Sequence, residues 1–187
     1  KITELRRENE ILRKQLEDAS NGSDCDTHNF DGTDISIGVL GDTHLGSLFS
    51  DLSVLKSAYR MFKERGIKNV YHAGDLLAGE KMYRGQEYEL RVHGADAQVD
   101  FCVRNYPRVE GITTFFITGN HDGSFYKRAG LDIGKIIASK RPDMVYLGQD
   151  EQDVIIRGQG KAKAILRIVH PRKGTAYALS YQIQKMI

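Results

Sequence analysis

Residues 113–122 read TTFFITGNHD: a β-branched and aromatic run that stops at a glycine and then presents three polar side chains. Such a run favours extended, packed backbone. Gly119 lets the chain turn sharply, so Asn120, His121 and Asp122 fall at the carboxyl end of a strand. Three other stretches repeat the design. Ser36–Leu40 runs into Gly41-Asp42-Thr43-His44, Asn69–Ala73 into Gly74-Asp75, and Ala164–Val169 into His170-Pro171. Four apolar strands thus each deliver Asp, His or Asn at one end. In open α/β sheets, ligands gather at those ends.

The intervening sequence supports an α/β class. A helix is expected over Leu52–Arg65, where Leu52, Leu55, Tyr59 and Phe62 keep helical spacing and Gly66 supplies the stop. The first three strands are expected over Ile35–Leu40, Val70–Ala73 and Thr113–Thr118. Helices are expected near Ala95–Asn105, over Ile133–Ser139 and over Tyr177–Met186. Met144–Leu147 reads as a short strand. Val154–Arg157 and Ala164–Val169 flank Gly158-Gln159-Gly160 as a hairpin. Strands that alternate with helices and end in a hairpin predict a mixed sheet or two packed sheets.

Lys1–Ala19 has a different pattern. With Ile2, Asn9 and Leu16 at a positions, Leu5, Leu12 and Ala19 fall at d. A polar Asn at a favours a parallel dimer in one register, so this segment is expected to be a coiled-coil helix that pairs two chains. The alternative is an amphipathic helix docked on its own domain. Residues 20–34 are polar and turn-rich and read as a flexible linker, with His28 solvated. The expected organisation is a coil over 1–19, a linker over 20–34 and a catalytic-type domain over 35–187.

Charge limits the partners. Lys and Arg number 27 against 25 Asp and Glu, a formal net charge of +2. That near-balance argues against a dominant nucleic-acid surface. Cys25 and Cys102 are far apart, and no signal-like segment opens the chain, so both read as reduced intracellular thiols. No apolar run approaches the ~18 residues of a membrane span. The expected location is the cytoplasm, with no membrane partner. The chain starts at Lys1 without a methionine and ends in a helical-looking run, as a piece of a longer protein would.

Asp42 and His44 are two apart, so in extended backbone both face one side and can reach one ion. A carboxylate with an imidazole suits Mn²⁺, Fe or Zn²⁺ better than Ca²⁺. Asp75 can bridge two ions with its two oxygens. Asn120 adds an amide oxygen and His170 a second imidazole. Two cations ~3.5–4 Å apart stabilise the attacking and leaving oxygens of an in-line phosphoryl displacement. His121 can face the phosphate, stabilising charge or protonating the leaving oxygen, and Asp122 can orient that imidazole. His72 lies inside a strand and reads as a satisfied core histidine, and His93 as a surface residue. Tyr83, Arg84, Tyr88 and Arg91 interleave rings and cations. Such a face can stack on nucleic acid or simply be solvated. Lys127 and Arg128 read as surface residues.

Taken in order, Gly41-Asp42-Thr43-His44, Gly74-Asp75 and Gly119-Asn120-His121-Asp122 resemble the first three signatures of the calcineurin-like metallophosphoesterases. Asp42 and Asp75 are 33 residues apart, and Asp75 and Asn120 are 45 apart. Asp42-Thr43-His44-Leu45-Gly46 resembles the branch that processes DNA ends; Glu80–Asp100 and His170–Met186 resemble phage-encoded members. The resemblance implies a two-sheet sandwich flanked by helices. It implies one metal held by Asp42, His44 and Asp75 and a second held by Asp75, Asn120 and His170. His121 is implied as the substrate-facing acid, supported by Asp122. The family closes its site with a later Gly-His-x-His. None follows His170, so the expectation is a domain incomplete at its carboxyl end, with weak metal retention. The expected function is metal-dependent hydrolysis of a phosphoester, of the phosphodiesterase, nuclease or phosphatase kind. The alternative is a non-catalytic dimeric tethering module associated with nucleic acid.

Overall fold

A computed structural model describes residues 26–31, 34–159 and 163–171. The coiled-coil helix expected over 1–19 and the helix expected over Tyr177–Met186 lie outside the described residues.

Strands β2 (Gly38–Leu40), β3 (Asn69–His72), β4 (Thr113–Thr118) and β5 (Met144–Gln149) form one parallel sheet in that order. Strands β1 (Thr27–Asn29), β6 (Glu151–Arg157) and β7 (Lys163–Val169) form a second sheet in the order β1-β6-β7. There β1 runs parallel to β6, and β6 pairs antiparallel with β7 as the expected hairpin.

Alternation along the strands builds two cores. Val70, Phe116 and Met144 face helices and join Leu55, Tyr59, Phe62, Val99 and Ile137 in the larger one. Tyr71 and Ile117, on the opposite face, pack against Val154, Ile156 and Ile168 of the second sheet. The architecture is the two-sheet α/β sandwich with flanking helices that the family resemblance implies, and it decides for two packed sheets over one mixed sheet.

Helix α1 (Leu52–Glu64) starts at Asp51, whose carboxylate accepts from the amides of Ser53 (2.8 Å) and Val54 (3.2 Å). Helix α2 spans Ala95–Asn105, and α4 spans Ile133–Lys140. Helix α3 (Gly123–Ala129) was not expected. Gly123 and Ser124 look like loop residues, but their amides bond back to the carbonyls of Gly119 (2.9 Å) and His121 (3.1 Å), so the helix grows out of the motif itself.

The linker reading fails for residues 27–29. They form β1, and the His28 ring lies 4.0 Å from that of Phe115, with its Nδ1 2.6 Å from the Tyr71 hydroxyl. His28 is therefore a packing residue on the sandwich. The misreading arose because a three-residue edge strand carries no periodicity of its own.

Arg141 is buried and closes the carboxyl end of α2. Its guanidinium donates to the carbonyls of Val103, Tyr106 and Pro107, each at 3.0 Å, and to the Asp143 carboxylate at 2.6 and 2.8 Å. Burial opposes the Asp143 charge, but Arg141 wins and holds that carboxyl below the usual 3.8. Replacing Arg141 by Met strips three carbonyls and one carboxylate of their donor. The expected loss is about 3 kcal/mol in urea unfolding at neutral pH. A depressed acid contributes its stability above its unfolded-state pKa. The gap between parent and variant should therefore narrow as pH falls below 3.8.

Candidate metal centre

Because β2, β3 and β4 are parallel neighbours, their carboxyl ends come out side by side. Past β2 the pairing continues irregularly: the amides of Asp42, His44 and Leu45 donate to the carbonyls of Gly74 (3.1 Å), Asp75 (3.0 Å) and Leu76 (2.7 Å). Asp42, His44 and Asp75 all carry positive φ, at 52, 42 and 56°. That left-handed region costs non-glycine residues of order 1–3 kcal/mol each and persists only where the surroundings impose it. Of the five non-glycine residues with positive φ among those described, these three are the ones singled out from sequence for their donor atoms; the others are Lys81 and Asp150.

Asp75 is the hub. Its side chain is 3% exposed, and its Oδ1 accepts from the His121 amide at 2.9 Å. Around its Oδ2 stand the Nε2 atoms of His170 at 3.4 Å, His44 at 3.8 Å and His121 at 4.0 Å. The His44 Nε2 also lies 3.6 Å from Asp42 Oδ1. Two donor groups result, each with atoms within 4.8 Å of one another: His44, Asp75 and His121, and Asp42, Asp75 and His170. Asp75 belongs to both, as a bridging carboxylate would. The side chains expected to hold or serve a metal are therefore brought together, including His170 from the other sheet.

Close approach needs glycine at three positions beside the centre, one of them Gly79, whose Cβ would sit 2.5 Å from His121 O. A Cβ on Gly74 would sit 2.8 Å from His170 Nδ1, and one on Gly119 would sit 2.8 Å from the Asp75 amide nitrogen. Gly74 also has a φ of 93°.

Backbone carbonyls set the imidazoles. Ala73 O lies 2.8 Å from His170 Nδ1, and Ala78 O lies 2.6 Å from His121 Nδ1. A carbonyl only accepts, so in both rings Nδ1 carries the proton and Nε2 of the neutral ring is left with a lone pair. For His170 that lone pair meets the Asn120 amide oxygen at 2.7 Å. With the amide in this orientation two acceptors face each other, and a proton on Nε2 or a cation between them resolves the contact. Without a metal, the proton does so: burial opposes the charge, but Asp75 outweighs burial and pushes His170 up to about 9. Burial likewise opposes charge on His44, and Asp42 with Asp75 raises its pKa; Asp42 in turn is lowered by its bond to His44. Carboxylates, an amide oxygen and imidazoles converging in one corner fit a divalent metal ion.

Two expectations need correction. Asp122 does not touch the His121 ring. Its buried carboxylate accepts from the amides of Leu77 (2.8 Å), Gly119 (3.0 Å) and Leu76 (3.1 Å), and so ties the β3 loop to the β4 loop. Burial, aided by the Asp75 charge, pushes it up to about 6. Ala78 orients His121 instead, and a backbone carbonyl leaves no sequence signal. His72 is a core histidine, as expected, but only half satisfied. Its Nε2 lies 3.2 Å from Thr43 Oγ1, and its Nδ1 has no partner among the described residues. Thr43 also donates to Leu76 O at 3.2 Å, so it accepts from His72, and burial keeps that ring neutral with a pKa near 4. His93, Tyr83, Arg84, Tyr88 and Arg91 are exposed, and Lys127 and Arg128 sit in the last turn of α3.

Asp122→Asn retains one oxygen where the carboxylate offered two. Unfolding stability should fall by about 1–3 kcal/mol, and amide exchange at Leu76, Leu77 and Gly119 should accelerate together.

No helix among the described residues is long and apolar enough to cross a membrane. No curated protein matches the chain. The family model for the calcineurin-like phosphoesterase domain matches residues 35–165, which include every proposed ligand except His170. With that match covering most of the sequence, over the strands and loops that carry these donor groups, the chain belongs to the calcineurin-like phosphoesterase family.

Proposed function

We propose that this domain hydrolyses a phosphoester with the help of two divalent cations. Asp42, His44 and Asp75 would hold one, and Asp75, Asn120 and His170 the other, with Mn²⁺ suited to the donor set and Fe or Zn²⁺ as alternatives. Bound there, such a pair would polarise the phosphoryl oxygens and make a water acidic enough to attack near neutral pH. The observation that carries the reading is the buried Asp75 carboxylate ringed by three imidazole Nε2 atoms, two of them from rings whose Nδ1 protons are pinned on carbonyls.

His121 stands on the substrate side of the cleft, half-open between Ala78 and His44. Its neutral form presents a lone pair at Nε2, so it accepts a proton or a ligand bond there. To act as an acid it must first be doubly protonated; its Nε2 lies 4.0 Å from Asp75 Oδ2. Asp122 keeps the Asp75 and Asn120 loops in register through three amides. Thr43, fixed by His72 and Leu76, holds the turn between Asp42 and His44.

Hydrolysis of bis(4-nitrophenyl) phosphate and of 4-nitrophenyl phosphate with added Mn²⁺ tests the reading and separates diester from monoester preference. Turnover should vanish with chelator and return with Mn²⁺. Asp75→Asn should lower kcat/KM by at least about a hundredfold, with His121→Ala lowering kcat. Equal turnover in chelator, or in Asp75→Asn with circular dichroism unchanged, would overturn it.

A further inference from the structure

The cleft beside the donor groups has lining residues that phosphate chemistry does not use. It measures about 360 Å³ and is lined by Asp42, His44 and His121 together with Phe49 and Tyr83. Phe49 is 77% exposed and Tyr83 51%. Exposed large apolar side chains occur elsewhere on the surface, Val39 and Tyr126 among them. These two differ in lining the same cleft as the imidazoles.

They also stand on cross-tied backbone. The Leu48 amide donates to Glu89 O at 2.8 Å, and the amides of Arg91 and Val92 donate to Gly46 O at 2.8 and 3.1 Å. The Ser47 hydroxyl donates to Glu89 O at 3.4 Å and accepts from the Phe49 amide at 3.1 Å. The Tyr83 hydroxyl donates to the Glu89 carboxylate, which holds its ring by the polar end. The loop after His44 and the segment after Ala78 are therefore one fastened unit. That unit is linked to the candidate centre. Ala78 O, which orients His121, also accepts from the Gln86 side-chain amide at 2.9 Å.

Aromatic faces on ordered backbone lose little conformational freedom when something flat covers them, so their free energy of stacking is retained as affinity. Flat rings tethered to a phosphate are what nucleotides present. We infer that Phe49 and Tyr83 form a nucleobase-stacking subsite, so that the substrate is a nucleotide-bearing phosphoester whose base lies on these rings while its phosphate lies at the donor groups. This rests on the phosphoesterase reading above. Phe49 and Tyr83 set specificity in it; neither touches the reacting atoms. Stacking reads any base by its π-face, so the subsite selects for a base without demanding one sequence.

The test compares two ligands that share a sugar and a phosphate and differ only in the base: thymidine 5′-monophosphate and 2-deoxyribose 5-phosphate. Their Kd values are measured by titration calorimetry on the full chain with Mn²⁺ present. The expected result is at least about tenfold tighter binding of the nucleotide. Phe49→Ala should bring the ratio to about threefold or less, as should Tyr83→Ala, whereas Tyr83→Phe, which keeps the ring, should preserve most of it. Both positions are exposed, and unchanged circular dichroism checks that the variants fold. Equal binding of the two ligands by the unaltered protein would overturn the subsite while leaving the phosphoesterase reading intact. A base preference that survives the double Ala variant would do the same. If neither ligand binds, the phosphate end fails as well, and both readings go together.

Discussion

A carboxylate taken out of water loses several kcal/mol of solvation, and Asp75 is almost wholly out of water. Its burial is the constraint that the rest of the site answers. One amide, from His121, supplies a hydrogen bond. A protonated His170 at 3.4 Å contributes roughly 5 kcal/mol at an effective dielectric of about 20, comparable with the loss. A second buried acid sits beside the first: Asp122, whose raised pKa reflects burial and then the Asp75 charge. Two carboxyl groups thus share one dry corner. The corner is therefore electrostatically incomplete unless positive charge is brought in, and His44, His121 and His170 are the groups placed to share that task with a cation.

That convergence depends on topology before it depends on chemistry. Parallel strands put every carboxyl end on one edge, and neighbours β2, β3 and β4 place three loops within hydrogen-bonding distance. The fourth group arrives from the other sheet. His170 follows β7, and its amide donates to Asp150 O at 2.7 Å, which seats it at the mouth of the sandwich. Side chains at Gly74 or Gly119 would force these segments apart. The glycines preceding Asp75 and Asn120 thus serve clearance as much as turning. A hydrophobic sandwich can accept strain at Asp42, His44 and Asp75 because its two cores and the Arg141 lock fix the strand ends independently of the loops.

The strands that present the site were legible because each is an apolar run ended by glycine and a polar donor. Asp42, His44, Asp75, Asn120, His121 and His170 could be grouped from order and strand-end position, and the structure brings them into one corner. Helix α1 was readable from Leu55, Tyr59 and Phe62, and it ends one residue earlier than expected because Arg65 caps it. What failed to show was anything that depends on partners distant in sequence. Strand β1 exists because β6 offers an edge. Helix α3 exists because the motif's own carbonyls accept its first amides. Asp122 was assigned to the nearest histidine, yet its partners Leu76 and Leu77 are 46 and 45 residues away and are amides common to every sequence.

The orientation of the imidazoles carries the same lesson into the chemistry. Ala73 and Ala78 contribute carbonyls, which any residue would carry, yet these carbonyls decide which nitrogen of His170 and His121 is available. Reversing either ring would point an N–H bond, not a lone pair, toward the neighbourhood of Asp75. A carboxylate would accept a hydrogen bond from that N–H, and the corner would have less need of an ion. Pinning Nδ1–H on the main chain removes this option for the neutral ring. What remains is a set of oxygen and nitrogen acceptors facing one another, a poor arrangement for a bare protein and a suitable one for divalent cations. The demand for metal is thus written partly in the backbone path after β3, where β3 and the Gly74 turn place Ala73 and Ala78 on either side of Asp75 in the sequence.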